Sequence, residues 1–254
     1  METLPDLGEL ALILTAIAVG SFVKGVTGSG LPQIAIPVIA VFLGVERAVV
    51  IMAIPGVVTN TILMWQHRAS TRETRDLPVL VTMGVVGAVV GTIGLATLDP
   101  ALLSLALAAV GGLYVLLFFS RFDVRLSPRV TRFASPPLGF AAGMLQGSTG
   151  ISGPLLTTYL HAFRLPRSPF ILSIVTLFNV LAIAQVAALW QLDLYTSARM
   201  IESLLAVLPM LVFLPLGSRF SARMSQERFD RALIAIVSVG VVLLAWEGFT
   251  GVVG

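Results

Sequence analysis

Apolar segments that are almost free of charge recur along this sequence and restrict what the chain can fold into. They are roughly 15–22 residues long and lie at 49–66, 77–97, 101–120, 170–191, 204–218 and 232–246. A helix needs about 20 such residues to cross the hydrocarbon core of a bilayer. Charged residues make up only 11% of the 254 residues, too few to cover a soluble fold of this size. The sequence therefore predicts an all-α polytopic membrane protein.

Two further apolar stretches, 10–43 and 137–163, are interrupted by segments too rich in glycine and proline for an unbroken helix. The interruptions read KGVTGSGLP from Lys24 to Pro32 and QGSTGISGP from Gln146 to Pro154. Four positions align without gaps: Gly25 with Gly147, Thr27 with Thr149, Gly28 with Gly150, and Pro32 with Pro154. This match predicts an internal repeat, about 8–120 and about 136–250, within one transmembrane domain of residues 1–254.

Arginine-rich loops predict how the segments are oriented. The loops at 67–77, 120–135 and 218–231 carry 11 of the 16 basic residues, and basic loops stay on the cytoplasmic side. All three lie on one side only if each interrupted stretch enters the membrane and returns as a broken hairpin. We therefore predict two inverted repeats, each a broken helical hairpin plus three transmembrane helices, with 8–10 membrane helices in all. The expected location is the inner cell membrane, with both termini outside.

The two breaks combine residues that suit an anion-binding site. Ser29 and Ser152 are expected N-caps, and Pro32 and Pro154 fall in the first turn of a new helix. Two helix N-termini would then point into the membrane interior beside Lys24, the one basic residue placed well inside an apolar segment. The predicted substrate-binding residues are Lys24, Gly25, Thr27, Gly28, Ser29, Gly30, Gln33, Asn60, Gln146, Gly147, Ser148, Thr149, Gly150, Ser152, Gly153 and Asn179.

Simpler interpretations of these residues stay open at this point. Lys24 could extend its ammonium group to the membrane interface, and the buried amides, including Gln185, could form hydrogen bonds between helices. Gly84, Gly87 and Gly91 are assigned to close helix packing alone. Glu202 lies near a predicted helix end, so the apolar segments contain no evident carboxylate for proton coupling.

The paired motifs at Gly25–Pro32 and Gly147–Pro154 resemble those of the sulfite exporter TauE/SafE family, and the resemblance covers essentially the whole chain. It implies a secondary transporter that moves sulfur-containing anions, such as sulfite or organosulfonates, by alternating access around a central site. It also implies coupling to an ion gradient, with protons and cations both open as the coupling ion. The expected partners are therefore a small anion and the lipid bilayer. The sequence does not determine the oligomeric state.

Two alternatives are an anion channel and an intramembrane serine protease. Gly150–Gly153 matches the G-x-S-G motif around the nucleophile of rhomboid-type proteases, but the base would have to be His161, about 13 Å from Ser152 along one helix. We therefore expect no enzyme activity. The sequence has no cysteine, nucleotide-binding loop or cluster of metal ligands, so no cofactor and no metal are expected. Nucleic-acid binding is not expected either, because the basic residues lie in short loops.

Overall fold

The computed structural model describes residues 6–27, 30–73, 77–120, 128–163, 165–220, 238, 241–246 and 248–250. Within these residues the chain forms the ten α-helices given below, one 3₁₀ helix and no β-strand, and residues 241–246 and 248–250 are helical as well. The α-helices are α1 (Leu7–Thr27), α2 (Leu31–Leu43), α3 (Val45–His67), α4 (Leu77–Thr97), α5 (Pro100–Ser120), α6 (Pro128–Thr149), α7 (Gly153–His161), α8 (Arg167–Gln191), α9 (Ser197–Leu205) and α10 (Val207–Phe220). The 3₁₀ helix spans Arg68–Glu73.

Five stretches of the described chain are helical, long enough and apolar enough to cross a membrane: Leu7–Val26, Val45–Ser70, Leu77–Thr97, Ser168–Gln191 and Ser197–Phe220. Large apolar side chains point outward, among them Val86, Leu116 and Leu208, each more than half exposed. A soluble protein would place polar groups there, whereas lipid solvates apolar ones. The chain is thus an all-α, multi-pass membrane protein, as predicted.

Several boundaries differ from the sequence prediction. The crossing expected at 204–218 begins at Ser197, where the Thr196 hydroxyl caps α9 by accepting a hydrogen bond from the Arg199 N–H at 3.3 Å. Helix α6 begins at Pro128 and continues through Pro136 and Pro137, so it is longer than the predicted arm. Most of the crossing expected at 232–246 lies outside the described residues, as do most of the arginines used to predict orientation.

Both breaks occur where the repeat alignment places them. Helices α1 and α6 end at Thr27 and Thr149, and α2 and α7 begin at Leu31 and Gly153. Proline follows as the second residue of each new helix, where its missing N–H has no helical partner to lose. Gly30 and Gly150 have φ angles of 111° and 70°, values that side chains with a Cβ rarely adopt. Glycine therefore allows the chain to change direction at both breaks.

Contacts at the two ends of α3 show where each hairpin opens. At the Val45 end, Arg47 binds Glu9 of α1 at 2.7 Å and also binds Glu202 of α9. Helix α1 thus begins, and helix α2 ends, at the Val45 end of α3. At the His67 end, Ser168 at the start of α8 lies 3.0 Å from His67. The second hairpin, which precedes α8, opens at this end.

Glycines lie at the helix contacts between the first and second halves of the chain. Helix α1 packs against α10 and α6 packs against α4, while α3 packs against α8. Gly25 of α1 faces the backbone of α10 at Leu214 and Gly217. The α4 glycines predicted for packing all lie at helix contacts, which confirms that prediction: Gly87 and Gly91 face the backbone of α6, and Gly84 faces the Leu181 side chain of α8. Small residues at this spacing let helix backbones approach closely.

Gly143→Val tests the contact between α4 and α6. A Cβ at position 143 would overlap the carbonyl oxygen of Gly84, which is backbone and cannot turn aside. Overpacking of this kind costs about 1–3 kcal/mol, so the midpoint of thermal unfolding in detergent should fall by several degrees. Gly112→Val is the matched control, because a Cβ at Gly112 of α5 meets nothing within 4 Å. Equal effects of the two substitutions would contradict this packing.

Candidate functional site: a polar cavity between the two helix breaks

One cavity lies where the two breaks meet, with a volume of about 40 Å³. A single water needs roughly 10–15 Å³ of such space, so the cavity has room for a small polyatomic ion. Helices α1, α2, α3 and α8 line it together with the second break. The predicted site residues that line it are Lys24, Gly30, Pro32, Gln33, Asn60, Gln146, Gly150, Ser152 and Gly153. Gln185 lines it too.

Lys24 brings the only charged side chain to the described lining of this cavity. Its side chain is 6% exposed, and its Nζ donates hydrogen bonds to Thr59 Oγ1 and Asn60 Oδ1, both at 3.0 Å. Both acceptors are neutral side chains of α3. The ammonium group is thus held at the cavity wall and does not extend to an interface.

Hydrogen bonds near Pro55 support the part of α3 that carries the two acceptors. Pro55 has no N–H, which leaves the carbonyl of Ile51 without its helical partner, and the Ser203 hydroxyl of α9 donates to that carbonyl at 2.8 Å. Thr59 donates to the Pro55 carbonyl at 2.9 Å, so its oxygen remains available to Lys24. Thr59 was missed by the sequence analysis, although its place beside Asn60 in an apolar segment was a usable signal.

Gln146 aligns with Lys24 when the two motifs are compared. Its Nε2 donates to Gln185 Oε1 of α8 at 3.0 Å, and its Oε1 accepts from the Ser152 hydroxyl at 2.8 Å. Gln185 in turn donates to the Gln146 carbonyl at 2.8 Å. At each break, the last turn of the preceding helix is therefore bonded to a long helix further along the chain, α1 to α3 and α6 to α8.

Gln33 presents a polar atom with unused bonding capacity. The side chain is 5% exposed and lines the cavity, and its Oε1 has no hydrogen-bond partner among the described residues. The amide lies beside Gly153, where a Cβ would collide with Nε2. Buried polar groups are normally satisfied, and a rotated amide offers N–H donors as readily as an acceptor. This unused group points to a ligand in the cavity.

The starts of α2 and α7 both reach the cavity, through Leu31–Gln33 and Ile151–Gly153. Unpaired N–H groups and the positive ends of the helix dipoles collect at such starts. Gly30 occupies the N-cap position of α2, and Ser29, predicted for that role, lies outside the described residues. Ser152 does occupy the N-cap of α7, but its hydroxyl binds Gln146 and does not cap the helix. That part of the prediction was wrong because the Gln146 oxygen competes for the hydroxyl.

Other predicted site residues lie away from the cavity. Gly25 and Gly147 face the backbones of α10 and α4. Ser148 and Thr149 donate to carbonyls of their own helix, at Met144 and Leu145. Asn179 pairs with Thr61 across α3 and α8 at 3.2 Å. Pro154 begins α7 without lining the cavity, while Gly28, Ser29 and the side chain of Thr27 lie outside what the structure describes.

Ser152 and His161 do not form a nucleophile–base pair. They stand at opposite ends of α7, and His161 Nδ1 lies 2.8 Å from the Thr157 carbonyl, with its ring against Phe170. A serine nucleophile needs a base within hydrogen-bond reach. Nothing in this geometry supports the protease alternative.

Comparison with known proteins identifies one relationship. The family model described as "Sulfite exporter TauE/SafE" matches residues 12–244, a span that contains both breaks and the whole described lining of the cavity. No curated protein and no solved structure matches the chain.

Proposed function

Because this chain belongs to the sulfite exporter TauE/SafE family, a family of membrane transporters, we propose that it is a secondary transporter of small sulfur-containing anions. Sulfite is the anion that the family description names, and organosulfonates belong to the same chemical class. The cavity between the breaks is the proposed binding site. Its volume of about 40 Å³ favours compact anions over those with long aliphatic chains.

The observation that carries this proposal is the pairing of one buried cation with two helix starts. Lys24 supplies a positive charge, and the starts of α2 and α7 supply N–H donors. Gln33 supplies an amide whose oxygen has no hydrogen-bond partner among the described residues. No described lining residue carries negative charge. An anion would gain charge-assisted hydrogen bonds here in a site of low dielectric constant, where such bonds are strong.

The helix arrangement supports transport by alternating access between two inverted repeats. The hairpins open at opposite ends of α3, and their first helices contact equivalent partners in the other half of the chain. Many secondary transporters place a central site at such a repeat interface and rock one repeat against the other. With the basic loops cytoplasmic, the Val45 end of α3 faces outside.

A second cavity, which shares no lining residue with the first, lies toward the His67 end of α3. It has a volume of about 330 Å³ and lies between α3 and α10, where Gln66, Ser218 and Arg219 contribute polar groups. At the Val45 end, α3 and α9 are joined by two ion pairs, Arg47 with Glu202 and Glu46 with Arg199. We propose that the conformation described is open toward the His67 end.

The test is a binding screen of purified protein against sulfite, sulfate, thiosulfate and small sulfonates, followed by counterflow in proteoliposomes. We expect saturable binding of at least one sulfur anion, and exchange of labelled anion against an opposing gradient of unlabelled anion. A pore would equilibrate the anion without counterflow. Binding without counterflow would indicate a channel instead of a carrier. Absence of binding to every anion would overturn the proposal.

A further inference from the structure

Lys24 is buried among neutral groups. Its Nζ hydrogen-bonds only side-chain oxygens of Thr59 and Asn60 in the described chain, and no described carboxylate lies within 4.0 Å. Helix α2, which packs beside it, has no charged residue. An ammonium group in such surroundings has lost water without gaining a counter-charge, which is costly.

Charged groups on the elements around α1 are either paired with one another or remote. Glu9 of α1 and Glu202 of α9 both bind Arg47, and Glu46 binds Arg199. These five residues lie at the Val45 end of α3, where Arg47 is about 20 Å along that helix from Asn60. At the other end lie His67, which contacts Ser168, and Arg219 of α10. None supplies negative charge to Lys24.

An anion in the cavity would change this balance. Its negative charge would stabilise the ammonium form of Lys24, which has no counter-charge from the described residues while the site is empty. Binding of the anion and binding of the proton must then favour each other to the same extent, because linkage between two ligands is reciprocal. The site would take up one proton with each anion and release both together.

We propose that Lys24 is the binding site of a coupling proton, so that this protein is a proton–anion symporter. The proposal rests on the proposed function above. In the loading step the neutral amine gains a proton from solution as the anion binds, which leaves a monovalent anion and the ammonium group as a neutral pair. The neutral pair can cross the low-dielectric interior at less cost than the anion alone. An acidic compartment would therefore drive the anion toward the alkaline one.

Glu202 is the other buried charged residue in the described chain, and its surroundings fit this role less well. Its side chain is fully buried, but both carboxylate oxygens bind the Arg47 guanidinium, which is a permanent positive charge. Glu202 also contributes nothing to the lining of the anion cavity.

Proton uptake can be measured directly by titration calorimetry in buffers of different ionisation enthalpy, from neutral to alkaline pH. Thiosulfate is the probe, because it does not itself gain a proton in this range. We expect wild-type protein to take up close to one proton per anion at the alkaline end, with affinity falling about tenfold per pH unit there. Thiosulfate binding without proton uptake would overturn the symport proposal and leave the transporter proposal standing.

Lys24→Arg is the decisive variant, since arginine stays protonated at every pH used. Whatever anion binding this variant keeps should take up no proton, and in proteoliposomes accumulation driven by a pH gradient should be lost. Arg219→Lys, outside the cavity, is the control and should behave as wild type. If sulfite binds but thiosulfate does not, sulfite can be used, because its own proton cancels in the difference between wild type and Lys24→Arg. Equal uptake by both proteins would place the coupling proton elsewhere.

Discussion

Lys24→Met is expected to abolish sulfite binding and transport while leaving the protein folded. Loss of one partner from a desolvated, hydrogen-bonded charge pair costs about 2–5 kcal/mol, which corresponds to a loss of about 30-fold or more in affinity. Methionine fills a similar volume and keeps the apolar stem, so the cavity wall formed with Thr59 and Asn60 stays in place. Calorimetric binding and counterflow measure the effect.

The same substitution should not lower stability, and this separates a binding role from a structural one. The variant removes a buried amino group that has no described counter-ion, so the midpoint of thermal unfolding should stay level or rise. Arg219→Met is the control for loss of one basic side chain outside the anion site. Unchanged sulfite flux in Lys24→Met would remove Lys24 from the site, and a large fall in stability would make it a structural residue.

Arg47→Met is expected to destabilise the protein by about 3–5 kcal/mol, because it leaves the Glu202 carboxylate buried without a partner. Glu202 has no exposed surface, whereas Glu9, the other partner of Arg47, is 37% exposed and can be solvated. Denaturation in mixed detergents would measure the loss. The double variant Arg47→Met with Glu202→Gln should recover much of the stability, since the uncompensated charge is gone.

Glu46→Gln is the control for the Arg47 variant. Glu46 pairs with Arg199 at the same end of α3, but its side chain is 35% exposed, so the change should cost no more than about 1 kcal/mol. Equal losses from Arg47→Met and Glu46→Gln would contradict the distinction between a buried and a solvated pair. Failure of the double variant to recover stability would mean that packing of Arg47, not its charge, supports this end of the molecule.

Much of the fold follows from the sequence because lipid imposes a simple rule. A membrane helix must be apolar over its length and must satisfy its backbone internally, so hydropathy located α4 at its observed bounds, 77–97. The breaks were predictable for the same reason: glycine and proline are costly in a helix interior, and both breaks contain them at aligned positions. Where α6 and α9 begin was not predictable, because polar residues at helix starts are compatible with helix or loop.

The candidate site was predictable only in part, since glycine has the same chemistry wherever it lies. Gly25 and Gly150 belong to the same motif, yet Gly25 packs against α10 and Gly150 lines the cavity. The difference depends on which helix lies opposite. Thr59 as a partner of Lys24, the unused amide of Gln33 and the buried pair of Arg47 with Glu202 likewise join segments far apart in sequence.

The sequence by itself determined that the chain enters a membrane, where its helices break, and that a single lysine lies near one break. These properties depend on local composition and on the energetic cost of exposing the backbone to lipid. Only the tertiary structure decided that the two breaks share one cavity, and that Lys24 faces neutral oxygens there with no carboxylate nearby in the described chain. Such facts depend on helix packing between distant segments, and they turn a buried lysine into a candidate site for both anion and proton.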